Sequence, residues 1–289
     1  MGAVAMQVFE TPEPISATLD LTVADVKVIA SDRADTAVDV RPSNPAKGSD
    51  VKAAEQTVVE CSNGRLSVRM VKDWTRYTPF GGSGSIDVTI ELPTGSDIHG
   101  VSDMGAYDAD GRLEEATFRS GAGNVRLDRT GRLSVHTGMG EVIVNRVAGG
   151  AELTTGSGQV RVGVVDGPAV VKNGNGSTRI GEVGSDLRVK AANGDIVIGQ
   201  ARASVVAKSA NGSVRIGDVV SGAVVMETAA GEIEVGIHEG TAAFLDLKTK
   251  FGNVRSSLRA STTSEPSSST VEVRARTSYG DIVVTRAPA

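Results

Sequence analysis

Glycine recurs at nearly constant intervals through the last two thirds of this 289-residue chain. From Gly105 to Gly231 each interval measures 17 to 19 residues, and two longer intervals of 21 and 28 residues follow. A period this regular is typical of architectures in which similar units stack on one another. The aligned glycines are Gly105, Gly123, Gly140, Gly158, Gly176, Gly194, Gly212, Gly231, Gly252 and Gly280.

Each repeat contains two short segments in which apolar and other residues alternate. Two and four residues after the glycine lie apolar pairs such as Ile196 and Ile198. Seven and five residues before it lies a second pair, such as Leu187 and Val189. A period of two predicts β-strands that bury one face, and no helical period is present.

The constant phase of the repeat favours a β-solenoid over a sheet of hairpins, in which the chain reverses at every turn. In a solenoid, equivalent residues of successive coils stack about 4.8 Å apart. Glycine permits the positive φ that a corner requires. The asparagines that precede it, Asn175, Asn193 and Asn211, can stack their amides. We therefore predict an all-β fold, a parallel β-helix-like solenoid with coils of about 18 residues.

The first hundred residues follow a different pattern, punctuated by prolines. We expect residues 1–98 to form an all-β section that caps or starts the solenoid. Residues 99–289 should form about ten coils, with a Ser/Thr-rich surface insertion at 257–270. In chain order the last coil contains Thr277–Arg286, whose strand edges would have little cover. The strands expected before the solenoid are 17–21, 26–30, 37–40, 57–60, 65–70 and 85–92.

Composition and charge exclude several classes of protein. The formal net charge of −5 argues against a generic nucleic-acid binder. The single cysteine, Cys61, excludes a disulfide scaffold and a cysteine-based zinc site. The chain shows neither a secretory signal peptide nor a stretch approaching the roughly 18 apolar residues of a transmembrane helix. We therefore expect a cytoplasmic protein.

Three parts of the sequence resemble one bacterial family. They are the opening Phe9–Ile15 with Asp20–Ala30, the segment Ile86–Gly95 that ends in Leu-Pro-Thr-Gly, and the repeated Gly-x-Val/Ile-x-Val/Ile coils. Together they resemble the β-strand-repeat proteins called "putative adhesins", a domain of unknown function, and within it the actinobacterial members of cytoplasmic type. The resemblance implies a β-solenoid, and it brings no catalytic motif.

Residues that could support catalysis or metal binding do not converge in the predicted coils. The histidines His99, His136 and His238 fall at three different phases of the repeat, whereas a histidine metal site needs at least two ligands together. Glycoside-cleaving β-helices need clustered carboxylates, and the acids one residue after the glycine never occupy neighbouring coils. We expect no enzyme, no metal site and no cofactor.

Basic residues recur at two outward phases and form a candidate stripe. Like charges stacked on neighbouring strands repel, so this stripe costs stability. It either binds a linear polyanion, membrane headgroups or an acidic partner, or protects the sheet against aggregation as a solvated face. Its members are Lys172, Lys190, Lys208 and Lys248, four residues before the glycine, and Arg161, Arg179 and Arg215, three residues after it.

These observations favour a non-enzymatic structural or interaction protein, a rigid scaffold that binds a partner on a face or self-associates at its ends. The expected partner is a protein or a second copy, and an acidic polymer or a membrane surface is an alternative. We predict no specific nucleic acid and no small-molecule substrate. The alternative function is a surface adhesin or a carbohydrate-binding or carbohydrate-active β-helix. In that case Trp74, Tyr77, Phe80 and Tyr107 would line one open groove.

Overall fold

The structure, a computed structural model, describes residues 6–71, 84–258 and 269–287. Apart from one helix, the regular elements of these residues are β-strands, which agrees with the predicted all-β class. The chain divides into two compact units, Met1–Val144 and Asn145–Ala289. The division falls within the strand β10 (Val142–Val147).

The first unit combines antiparallel strands with parallel coils. Its long strand β2 pairs in parallel with four strands, and β7, β8 and β9 continue the parallel stacking. Antiparallel pairs join β1 to β3, β3 to β6 and β4 to β5. The elements are β1 (Gln7–Glu10), β2 (Ser16–Ser31), β3 (Asp35–Pro42), α1 (Gly48–Gln56), β4 (Val58–Ser62), β5 (Arg65–Arg69), β6 (Ile86–Pro93), β7 (Asp97–Met104), β8 (Tyr107–Ala122) and β9 (Val125–Met139).

Two features of the first unit differ from the sequence prediction. The strands expected at 17–21 and 26–30 are one continuous strand, β2. The helix α1 was not predicted, because its nine residues bury only Asp50 and Ala54 and so carry no clear apolar period. A tertiary contact helps to hold it, since the Asp50 carboxylate, which pairs with Lys47 three residues earlier, also accepts a hydrogen bond from the Ser85 amide. Burial acts to raise the pKa of Asp50, but these bonds hold it below its ordinary value.

The second unit contains two parallel sheets. Each coil contributes one strand to each sheet. The first sheet, in spatial order, is β11 (Ala151–Ser157), β13 (Ala169–Asn175), β15 (Leu187–Asn193), β17 (Val205–Asn211), β19 (Gly222–Ala230), β23 (Ser269–Tyr279) and β21 (Thr241–Phe251). The second is β12 (Val160–Val165), β14 (Thr178–Val183), β16 (Ile196–Ala201), β18 (Val214–Val219), β20 (Ile233–Ile237), β24 (Ile282–Arg286) and β22 (Val254–Ser256).

The register of these sheets confirms the predicted solenoid. Leu187 lies opposite Val205, and Ile196 lies opposite Val214, one 18-residue coil further on. Val205, Ile196 and Val214 are each fully buried, as the alternation predicts. The asparagine amides stack as expected, because Nδ2 of Asn211 donates to Oδ1 of Asn193 at 2.9 Å. The same bond joins Asn193 to Asn175.

In most coils the residue three positions before the glycine is small and polar, and its side chain caps the neighbouring coil. The hydroxyl of Thr228 donates to the carbonyl oxygen of Gly212 at 2.8 Å, and that of Thr277 donates to Gly231 at 3.1 Å. The corner carbonyls therefore gain a partner that an apolar side chain could not supply. This bond explains why threonine is frequent at the position.

The order of the last coils differs from the chain order, and the predicted last coil is wrong. β23 lies between β19 and β21, because Val273 lies opposite Val224 on one side and Leu245 on the other. β24 likewise lies between β20 and β22. The outermost coil is therefore β21 with β22, and the coil that contains Thr277–Arg286 is internal.

Burial of apolar surface accounts for this order. β24 and β23 contribute Ile282, Val284 and Val273, each fully buried between two neighbours. β22 carries only Val254 as an apolar residue and tolerates the outer position. Of the insertion expected at 257–270, Ser269 and Thr270 belong to β23, and residues 259–268 lie outside the described residues.

Tyr107 predicts a loss of stability at high pH. It is 1% exposed, its ring lies 4.6 Å from that of Phe118, and burial raises the pKa of its hydroxyl to about 12. The unfolded chain releases this proton near pH 10. The folded protein is therefore fully stable with respect to this group below pH 10 and loses about 1.4 kcal/mol per pH unit between pH 10 and 12. The Tyr107→Phe variant should lose less stability over this range.

Urea unfolding of both proteins at several values between pH 8 and 12 measures the difference. Every other ionisable group is common to both proteins, so the gap between the two curves isolates Tyr107. A gap that stays constant from pH 8 to pH 12 would show that the hydroxyl ionises as easily in the folded protein as in the unfolded chain.

Candidate functional site

The candidate stripe divides between the two sheets of the second unit. The lysines lie on the first sheet, where Lys172 is opposite Lys190, and Lys190 is opposite Lys208. The arginines lie on the second sheet, where Arg161 is opposite Arg179. The seven predicted residues therefore form two separate rows, because the glycine corner lies between their phases.

The lysine row continues to the outer edge of the first sheet. Glu227 of β19 lies opposite Lys208, Arg276 of β23 lies opposite Glu227, and Lys248 of β21 lies opposite Arg276. The inserted β23 thus places Arg276 between Glu227 and Lys248. One acid and four bases occupy five consecutive strands, counted from Lys190 to Lys248.

An open groove of about 760 Å³ runs beside this row and is the candidate site. Its basic residues are Lys190, Lys208, Lys248, Lys250 and Arg276, and Glu227 is its one acid, which leaves a formal charge of +4. The other residues that line this basic groove are small. They are Ala191, Ser209, Ala210, Thr228, Ala229, Thr277 and Ser278.

Local ion pairs neutralise part of this charge. Lys208 pairs with Glu227 at 2.6 Å, and Arg276 pairs with Asp246 on the neighbouring strand. Among the described residues, Lys190, Lys248 and Lys250 make no ion pair. The basic groove therefore presents three lysine ammonium groups without a counter-ion among the described residues, one on β15 and two on β21.

The arginine row of the second sheet is less continuous. Val197 separates Arg179 from Arg215. Arg215 pairs with Glu234 at 2.6 Å, and a side-chain amide, that of Gln159, accepts a hydrogen bond from Arg161. The row therefore resembles a solvated face more than a binding site.

Three acids near the ends of strands of the second sheet pair with bases outside the stripe. Asp166 binds Arg146 at 2.8 Å, and Glu182 binds Arg202 at 2.7 Å. Asp218 faces the ring of His238 at 3.0 Å. These pairs follow the edge of the second sheet, which leaves the basic groove with Glu227 as its acid.

A carbohydrate-binding groove would be lined by four particular aromatic residues, and the structure describes one of the four. Tyr107 is buried and packs against Phe118. Trp74, Tyr77 and Phe80 lie outside the described residues. The structure does place a different aromatic pair on the surface, Phe251 and Tyr279, whose rings stack at 5.0 Å.

Groups that could support other chemistry are sparse in the described residues. No set of three or more His, Cys, Asp and Glu side chains in 6–71, 84–258 and 269–287 is placed to hold a metal ion. Burial raises the pKa of the Cys61 thiol, so this sulfur is a poor nucleophile. No helix among these residues has both the length and the apolar character needed to cross a membrane.

The stacked coils and their glycine corners are matched by one family. Residues 16–286 match the family described as Toastrack DUF4097. The chain belongs to this family. A comparison with curated proteins finds no similar sequence.

Solved structures similar to this Toastrack protein share little sequence with it. A "putative adhesin" from Parabacteroides merdae is 10% identical over 81% of this chain and 92% of its own, with a TM-score of 0.41. A "putative adhesin" from Bacteroides fragilis is 12% identical over 97% and 96%, with a TM-score of 0.42. A "putative lipid binding protein" from Parabacteroides distasonis is 11% identical over 98% and 96%, with a TM-score of 0.27. These values carry no functional assignment.

Sequence reasoning missed one basic residue of the groove and the position of another. Lys250 lies two residues before its glycine, outside the two phases that were compared. Arg276 shares the phase of the lysines, but chain order places it beyond Lys248 instead of beside Glu227. A count of charges at every phase would have found Lys250. The position of Arg276 depends on the coil order.

Proposed function

We propose that this Toastrack protein is a non-enzymatic scaffold that binds an acidic segment of a partner protein in the basic groove. The observation that carries the proposal is the arrangement of Lys190, Lys248 and Lys250 around one concavity without ion-pair partners among the described residues. A surface kept only for solubility would alternate opposite charges, as the pairs of the second sheet do.

The rigidity of the coil supports recognition of an extended ligand. The basic side chains project from neighbouring strands about 4.8 Å apart, so they present charge along a line. The small residues of the groove leave room for a bound backbone. The sheet is already ordered before a partner binds, so binding loses little conformational entropy from this side and less of the electrostatic attraction is offset.

A cytoplasmic location remains a prediction, which cell fractionation tests.

Charge reversal in the basic groove should weaken binding of an acidic polymer. We expect Lys190→Glu with Lys208→Glu to lower the affinity for poly-L-glutamate at least tenfold, which corresponds to about 1.4 kcal/mol. The removed attraction is screened by salt, so the wild-type affinity should also fall as salt rises. Isothermal titration calorimetry at 50 and 300 mM salt measures both effects.

The matched control is Arg161→Glu with Arg179→Glu, which changes the net charge equally on the other sheet. We expect this control to bind poly-L-glutamate within about threefold of the wild type. Equal losses in the two variants would assign binding to net charge and contradict a specific groove. Failure of the wild type to bind would favour the protective interpretation. Binding to phosphatidylglycerol vesicles without binding to poly-L-glutamate would favour a membrane surface.

A further inference from the structure

The outermost strand of the second unit has an open edge. β21 pairs with β23, and no other described strand pairs with it. Leu245 of β21 is 36% exposed, whereas Val273, its register partner on β23, is fully buried. The inward-facing Leu245, Leu247 and Thr249 of β21 are therefore only partly covered. An exposed strand of 11 residues is a template for pairing with another chain.

Exposed apolar side chains of the second unit concentrate at this end. In the described part of that unit, four of the five large apolar residues that are exposed belong to the outermost coil, and the fifth stacks on it. Scattered single residues of this kind are normal, but a cluster marks an interaction surface. The five exposed large apolar residues in the described part of the second unit are Phe244 at 69%, Leu245 at 36%, Phe251 at 64%, Val254 at 46% and Tyr279 at 61%.

The charge pattern of β21 is complementary to itself in an antiparallel arrangement. When two copies of the strand meet antiparallel with Leu247 at the centre, Asp246 of each copy lies opposite Lys248 of the other. The arrangement also sets Phe244 opposite Lys250. A parallel pairing in register would instead oppose Lys248 with Lys248 and Asp246 with Asp246.

The same arrangement keeps the buried face continuous. Because the centre lies on a residue, inward positions meet inward positions, so Leu247 meets its own copy and Leu245 meets Thr249. Asp246 already accepts a hydrogen bond from Arg276, and its carboxylate has further lone pairs for a lysine of the second copy. Both the apolar and the charged side chains of the edge thus gain partners.

We propose that a second copy of this chain docks on β21, antiparallel about Leu247, to form a two-fold dimer. An isologous interface of this kind completes the assembly at two copies and does not lead to a filament. A filament would need an edge of the first unit that matches β21. The strands there with a single described neighbour, β1 and β4, are four and five residues long, against 11 in β21. Lys248 would contribute to both this dimer and the basic groove, but the dimer does not require the acidic partner.

Mass in solution against protein concentration tests the dimer. We expect sedimentation equilibrium of the wild type to show a monomer–dimer equilibrium without larger species. Lys248→Asp should weaken the dimer at least tenfold, because it opposes two acids in each half of the interface. Lys190→Asp makes the same charge change away from the edge and should leave the dimer unchanged. The exchange of both charges, Asp246→Lys with Lys248→Asp, should restore it.

Disulfide trapping tests the register independently of charge. In a chain with Cys61→Ser, Leu247→Cys should form a cross-linked dimer on oxidation, since the two copies of residue 247 face each other. Thr249→Cys is the control and should not cross-link, because residue 249 faces residue 245. A monomer at every concentration, growth beyond the dimer, or equal cross-linking at both positions would overturn the proposal.

Discussion

The Gly194→Ala variant is expected to lose about 3 to 5 kcal/mol of unfolding free energy, although it adds only one methyl group. Gly194 has a φ of +141°, which side chains rarely adopt. A β-carbon there would lie 2.2 Å from the carbonyl oxygen of Gly176 in the neighbouring coil. Backbone cannot move aside as a flexible side chain would, so the two coils must separate locally.

The effect should extend beyond one corner, because Gly212 stacks on Gly194 in turn. Urea unfolding followed by far-ultraviolet circular dichroism, which does not depend on tryptophan, measures the loss of unfolding free energy. Gly150→Ala is the control within the same unit. Its nearest neighbour would be the carbonyl oxygen of Pro168 at 3.5 Å, and its stability should change by less than about 1 kcal/mol. A Gly194→Ala protein as stable as the control would contradict the stacked-corner geometry.

Ile282→Ala should cost about 2 to 5 kcal/mol, and Val254→Ala less than about 1 kcal/mol. The two residues lie opposite each other on β24 and β22. Ile282 is fully buried, whereas Val254 is 46% exposed. Alanine therefore leaves a cavity between two coils in the first case and removes a surface side chain in the second.

This pair of variants tests the order of the coils directly. If the coils stacked in chain order, Val254 would be internal and Ile282 would lie at the end. Val254→Ala would then lose more unfolding free energy than Ile282→Ala. Thermal unfolding and urea unfolding at dilute protein concentration keep any dimer from covering Val254. A larger loss for Val254→Ala than for Ile282→Ala would refute the insertion of β23 and β24.

The coil order also decides where self-association should be tested. On chain order alone, the exposed edge would belong to the coil that contains Thr277–Arg286. The structure buries Val284 and exposes β21 instead. Variants at Asp246, Leu247 and Lys248 therefore probe the edge. Substitutions between Thr277 and Val284 would destabilise an internal coil and would not test the exposed edge.

Much of the fold could be predicted because its determinants are local and repeated. The alternation at Ile196 and Ile198 predicts a strand by itself, and most of the other coils repeat the same pattern. Asn193 predicts the amide ladder because stacking follows directly from a constant period. The helix α1 escaped prediction, since it carries no clear apolar period and Asp50 holds it partly through the amide of Ser85, which is 35 residues away in the sequence.

The candidate site could be predicted only in part. The phases of Lys190 and Lys208 placed them on one row, and the register confirms that row. The arginines were grouped with them because both phases point outward. The glycine corner between the phases turns the chain onto a second sheet, so Arg179 faces a different surface. Whether a row borders a groove depends on the small residues at the corner, which become visible only in three dimensions.

The sequence by itself determined the coil of this protein. A glycine every 18 residues and two alternating segments between successive glycines leave a parallel stack as the arrangement that keeps every phase in register. The tertiary structure decided which coil lies at the end and which basic residues share a groove. Strands of equal phase can exchange places without changing their local hydrogen bonds. Burial of Ile282 and Val284 then selects the order, and that order sets Arg276 beside Lys248 and leaves β21 open.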